Sequence, residues 1–171
     1  GVGCPPAARR LRHLLAYAQI IQSHALSFFH LSAPDLLLGW DGDPSRRNLF
    51  GLIAAEPELA RAGILLRQFG QRTIAAVSGR SIHGSWAVPG GGLTPLAPEA
   101  VATICGGLPG AQAAIRLALE RFKTLLDGPL KQEQAEFGSF PSHHLALVGP
   151  DGDWCLQDGA LRLIDAEGVI Q

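Results

Sequence analysis

The sequence predicts a mainly α fold, a bundle of long helices with a small antiparallel β meander near the C-terminus, and hence an α+β chain. Three observations carry this expectation. Apolar residues recur at three- and four-residue spacing over 6–31 and 57–78, the period of one buried helix face. Prolines stand where helices would open, at Pro5-Pro6, Pro57, Pro98 and Pro109, because the first turn has no partner for the missing N–H. Beyond residue 137 the pattern shortens to brief apolar runs between turn residues. The 171 residues are expected to form a single domain, 1–137 as a helical body and 138–171 as the meander, a length sufficient for a sizeable core.

In chain order, Leu11, Leu14, Leu15, Ala18, Ile21, Ala25 and Phe28 mark the buried face of a helix from about Pro6 to Leu31, about 40 Å long at 1.5 Å per residue. Pro34 is expected to end it, since the residue before Pro disfavours helical geometry. Asp35 can cap the next turn. Gly39 to Ser45 reads as a loop, with too few acidic residues in the wrong pattern for calcium. Arg46 to Ala55 forms a short helix or turn, and Pro57 opens the second long helix. There Leu59, Gly63, Leu66, Gly70, Thr73, Ile74 and Val77 share one stripe. Gly63 and Gly70 cost helix propensity and mark places where another helix comes close.

That helix closes at Ser78-Gly79, with Gly in the left-handed position past its end. The loop after it carries Arg80, His83, Trp86 and the Pro89–Gly92 run. Taken alone, an Arg and a His in a glycine-rich connection have a plain explanation as structural or solvent-facing groups. A further helix is expected from Pro98 to Cys105, interrupted by Gly106-Gly107-Leu108-Pro109-Gly110, and another from Pro109 to Asp127 with Ile115, Leu119, Phe122 and Leu126 inward. The Gly106-Gly107-x-x-Gly110 pattern lacks the Lys-Ser/Thr and preceding strand of a phosphate loop. His144–Val148, Trp154–Gln157 and Leu161–Ile164 read as strands, with turns at Pro150-Asp151-Gly152, Asp158-Gly159 and Ala166-Glu167-Gly168.

Composition excludes several classes of function. A net charge of −1 leaves no electrostatic footprint for nucleic acid or an anionic membrane, and no apolar run approaches the ~20 residues that span a bilayer. The N-terminal stretch lacks the features of a signal peptide. The cysteines Cys4, Cys105 and Cys155 stand apart, so neither a disulfide framework nor a thiolate metal site is indicated and a reducing compartment is expected. With 47% hydrophobic and only 17% charged residues, the chain suits a piece normally covered by other polypeptide. His24 and His30 lie six apart and do not share a helix face as an i,i+4 metal pair would; one packed and hydrogen-bonded, the other exposed, is the plain expectation. His143-His144 with Asp151 and Asp153 fits a solvated strand start better than a metal site, since adjacent strand residues point to opposite faces. No nucleophile elbow and no paired carboxylates are present.

Two stretches together carry a resemblance. The first holds Gln22-Ser23-His24-Ala25-Leu26, Phe28-Phe29-His30-Leu31 and Ser32-Ala33-Pro34-Asp35, continued by Arg46 and Asn48. The second holds Arg67, Gly70-Gln71 and Gly79-Arg80-x-x-His83-x5-Pro89-Gly90-Gly91. In that order they resemble the large subunit of nickel–iron hydrogenases, most closely its cytoplasmic, multi-subunit, NAD-reducing branch. The likeness covers essentially the whole chain, with one departure: Gly84 stands where the family usually has Pro after the loop His.

The resemblance implies reversible oxidation of molecular hydrogen coupled to NAD. It implies a nickel–iron centre in the full-length subunit, and iron–sulfur clusters, flavin and NAD in partner subunits. The partners implied are the hydrogenase small subunit and diaphorase subunits, with no nucleic acid and no membrane. Family members ligate their metals through two Cys-x-x-Cys pairs that this chain lacks. No Met occurs anywhere in it. It is therefore expected to be an internal fragment, inactive alone, with no catalytic residue and no metal ligand of its own, and prone to self-association when isolated. His83, Arg80, His24, Pro89, Gly90 and Gly91 are expected to lie toward the small subunit, His83 near its proximal cluster and His24 as a positioning residue. The alternative is a non-catalytic helical scaffold or assembly module related to hydrogenases and to the quinone-site subunit of respiratory complex I.

Overall fold

The computed structural model describes residues 3–170, so the outermost residues of the expected 1–171 span lie outside it. The chain divides into two compact units, Gly1–Gly128 and Pro129–Gln171.

The first unit is built on three long helices, α1 (Pro6–Ala25), α4 (Pro57–Ser78) and α5 (Pro98–Asp127), with α4 packed against both of the others. All seven residues of the expected α4 stripe are buried. A Cβ added at Gly63 would strike the Phe29 ring, and one at Gly70 would come within 2.8 Å of Ala18 O, so these glycines do mark the close approaches. The core lies where α4 meets its neighbours and includes Ala25, Phe29, Leu59, Ala62, Leu66, Ala111 and Ala114. Arg121 of α5 reaches Glu56, the residue before α4, with Nη2 and Nε at 2.7 and 3.0 Å from Oε1.

Pro34 does not end the first helical stretch. A π-helical turn over Leu26–Ser32 follows α1 directly, Ala33 N–H bonding Phe28 O five residues back, and α2 (Ala33–Leu38) continues with Pro34 in its first turn. A first-turn Pro removes no intrahelical bond, and the widened turn re-aims the chain. Asp35 makes no cap; its carboxylate lies 3.8 Å from Arg47 Nη1. In the loop that follows, the Ser45 amide donates to Asp43 Oδ1 at 2.9 Å and, with the Ser45 hydroxyl and Arg46, holds that carboxyl below its ordinary pKa.

Helix α3 (Leu49–Ala55) starts at Asn48, whose Oδ1 accepts from Phe50 N and Gly51 N at 2.9 and 3.2 Å. Asn48→Ala is expected to destabilise the chain by about 1 kcal/mol, and Asn48→Ser to retain most of that. Urea denaturation followed by helical circular dichroism measures it; an unshifted midpoint for Asn48→Ala would show that the cap contributes nothing.

The expected break at Gly106–Gly110 is also corrected, because α5 runs unbroken through Pro109. The tolerance is tertiary. A Cβ at Gly107 would sit 3.0 Å from the Phe69 ring, and Gly110 lies beside Leu65, so the small residues let α5 lie close to α4. The inward face is corrected too: Ala111, Ala114 and Leu125 are buried, while Ile115 and Leu119 are 44% and 49% exposed.

The second unit holds α6 (Lys131–Glu136), which the sequence did not signal, and an antiparallel hairpin of β3 (His144–Val148) and β4 (Ala160–Ile164). The register pairs His144 with Ile164 and Val148 with Ala160. The third strand expected over Trp154–Gln157 does not form; Trp154 makes a single bridge to Val148, and Ile170 one to Ile164. Among the described residues, no helix is long and apolar enough to cross a membrane.

Candidate functional site

The loop after α4 is held in a defined shape from its first residue. Gly79, at φ 74°, ends the helix and bonds Ala75 O at 2.8 Å. The Ser78 hydroxyl lies 2.8 Å from Ile74 O and 2.7 Å from Arg80 O, sharing its proton between them. Gly84 then passes so close to Ser78 that any Cβ there would overlap the Ser78 side chain. This is the physical reason for Gly at the position after the loop His. Between them His83 sits at φ 52°, the sole non-glycine at positive φ among the described residues, an uncommon conformation found at turns and functional sites. Its exposed imidazole borders a cavity of about 430 Å³ whose far wall is Leu15, Gln19 and Gln22 of α1.

A small hairpin follows, β1 (Ala87–Val88) paired antiparallel with β2 (Gly91–Gly92). Pro89 takes the first turn position with its fixed φ, and Gly90, at φ 87°, takes the second, as such turns require. Trp86 is 3% exposed and its Nε1 donates to Thr94 O at 2.7 Å. Gly92 lies against its ring so closely that a Cβ would overlap it. On the helix side, Arg12 Nη2 donates to Val88 O and Gly91 O, each at 2.7 Å.

Arg80, His83 and Pro89 are exposed, Gly90 is half-buried and Gly91 is buried, all on this one loop. His24 is not part of that group. It is exposed, with Nδ1 3.0 Å from Ile20 O, and borders a separate, almost wholly apolar cavity of about 400 Å³ with Phe28, Leu66, Ile115, Leu119 and Phe122. His30, expected to be packed and hydrogen-bonded or else exposed, is half-buried with Nδ1 buried and unpartnered. His143, His144, Asp151 and Asp153 are all exposed.

One residue that shapes the site and one contact within it escaped the sequence reading. Arg12 has a signal in retrospect: in the stripe Ala8, Arg12, Leu15, Gln19 and Gln22, at helical spacing, it is the charged member among small, apolar and amide side chains. The close packing of Gly84 on Ser78 has none.

The residues present do not fit a nickel–iron centre. Cys4, Cys105 and Cys155 are free thiols, and among the described residues no three His, Cys, Asp or Glu side chains are grouped to hold a metal. Ligands for such a centre would have to come from outside these residues.

No family model matches the chain. Its fold is that of nickel-containing hydrogenases: the [NiFeSe]-hydrogenase of Dm. baculatum superposes over the whole chain with a TM-score of 0.66 at 21% identity. Closer in sequence is a crystal structure of an NAD+-reducing [NiFe]-hydrogenase in the H2-reduced state, with a TM-score of 0.93 and 43% identity over 98% of this chain and 37% of that one. Among curated proteins, the chain is 35% identical to the beta subunit of the NAD-reducing hydrogenase HoxS of Cupriavidus necator over 99% of its own length. It is 36% identical to the vhu A subunit of the F420-non-reducing hydrogenase of Methanocaldococcus jannaschii over 98%. It spans 36% and 40% of those relatives' lengths. The chain is thus related to hydrogenase subunits, components of oxidoreductase complexes.

Proposed function

We propose that this chain is part of the large, catalytic subunit of a cytoplasmic NAD-reducing nickel–iron hydrogenase. The observation that carries the proposal is the TM-score of 0.93 at 43% identity over 98% of this chain, against 37% of the matched one. In the intact assembly hydrogen yields two protons and two electrons; NAD+ takes both electrons and one proton, and the other proton goes to solvent. The nickel–iron centre would be ligated by residues outside this segment, with iron–sulfur clusters, flavin and NAD in the small and diaphorase subunits. By itself the segment is inactive.

Within it, the loop of Arg80, His83 and Pro89–Gly91 faces the small subunit. It offers the exposed His83 imidazole as a hydrogen-bonding group at the point where electrons leave, and His24 acts from the neighbouring cavity as a positioning residue. The test is to assay the purified parent complex for nickel and for hydrogen-dependent NAD reduction. His83→Ala is expected to slow NAD reduction roughly tenfold while leaving the nickel content unchanged. Loss of nickel in that variant would refute the role given to His83, and a parent complex with neither nickel nor activity would leave the scaffold alternative.

A further inference from the structure

We infer that Arg12 is the positioning residue for the loop that carries His83, an inference that rests on the hydrogenase reading above. The two carbonyls that its Nη2 engages belong to the last residue of β1 and the first of β2. One guanidinium nitrogen thus closes the neck of the hairpin just below Pro89-Gly90. Guanidinium keeps its charge at every pH of interest, and such charge-assisted bonds are stronger than neutral ones. Arg12 Nε is buried without a partner, a desolvation cost that the Nη2 contacts must offset. The side chain is committed to the hairpin.

Its place on α1 indicates what the clamp serves. Ala8, Arg12, Leu15, Gln19 and Gln22 form one stripe of the helix at three- and four-residue spacing. The Ala8 methyl lies 3.5 Å from where a Gly91 Cβ would be. Arg12 holds the neck, and Leu15, Gln19 and Gln22 wall the cavity that His83 borders. From residue 8 to residue 22 the stripe runs about 21 Å. The loop therefore lies along a rigid rod, with its hairpin pinned at one end and His83 near the other. Arg12 gives this loop two hydrogen bonds from α1. Without it those two bonds to the hairpin are lost, and with them their hold on the position of His83 along the rod.

The experiment uses the intact multi-subunit enzyme. Hydrogen-dependent NAD reduction is measured beside exchange between hydrogen gas and deuterated water, which requires no electron to leave the catalytic subunit. Arg12→Gln is expected to lower NAD reduction roughly tenfold while exchange stays near the wild-type rate. Arg12→Lys, whose ammonium can still donate to both carbonyls, is expected to recover most of the loss. Arg121→Gln breaks the ion pair with Glu56 away from the loop and controls for general loosening; the ratio of the two activities should not change. If Arg12→Gln lowers both activities together, or neither, or if Arg121→Gln produces the same split, the inference is overturned. A wild-type enzyme without exchange would remove the hydrogenase reading and the inference with it.

Discussion

Phe29→Ala is expected to destabilise the first unit by about 3–5 kcal/mol, the range for deleting a buried aromatic ring. Phe29 is 3% exposed and lies in the core shared by α1, α4 and α5. Its ring meets Phe28 edge-on, centroids 5.0 Å apart at 83°, and Phe28 in turn meets Phe122 of α5 at 5.6 Å and 82°, contacts that add about 0.5–1.5 kcal/mol beyond burial. The ring also fills the notch left by Gly63. That supplies a second, sharper readout. Gly63→Ala alone should cost about 1–3 kcal/mol by overpacking, and part of that cost should be relieved in the Phe29→Ala background, which removes the overlapping ring atoms but keeps the residue-29 Cβ 2.7 Å from the added methyl. Urea denaturation of the two single variants and the double variant gives the coupling energy. Additive losses would mean that the notch and the ring are not partners.

The same region shows how far the sequence could be read. The α4 stripe was legible because burial on that helix follows spacing alone, and its glycines announced close approach by sitting where helix propensity argues against them. The end of α4 at Gly79 was legible because it needs a backbone shape that few residues supply, whereas the Pro89–Gly92 run read only as part of a loop and its hairpin turn did not. Pro34 and Pro109 misled for one shared reason. A proline rule is local, whereas the π-helical turn at Leu26–Ser32 and the seating of Gly107 on Phe69 are set by what lies across the core. The inward face of α5 was missed because its apolar residues exceed what α4 covers, leaving Ile115 and Leu119 at the mouth of the His24 cavity. In the loop, the residues of His83's own segment could be named from their motif, but its partners on α1 lie some 60–70 residues earlier. Neither periodicity nor turn chemistry links Arg12 to Val88.

Trp86→Ala is expected to open the 86–94 hairpin locally without unfolding the helical body. The indole is 3% exposed, bonded through Nε1 to Thr94 O and stacked on Gly92, and removing a buried Trp costs about 3–5 kcal/mol. Because these interactions lie within the 86–94 hairpin, the free energy should appear as local opening and only weakly in the global melt. The Leu93 amide, which bonds Trp86 O at 3.0 Å, reports it: its hydrogen exchange should quicken by roughly a hundredfold or more, since about 1.4 kcal/mol is a factor of ten. Amides in the middle of α4 should keep their protection. Gly92→Ala should have the same signature by displacing the ring, and His83→Ala should not, since His83 lies outside the hairpin. Unchanged exchange at Leu93 in Trp86→Ala would mean that Arg12 and the strand pairing hold the hairpin unaided. A parallel loss of protection along α4 would mean that the indole belongs to the global core and is no local anchor for the loop.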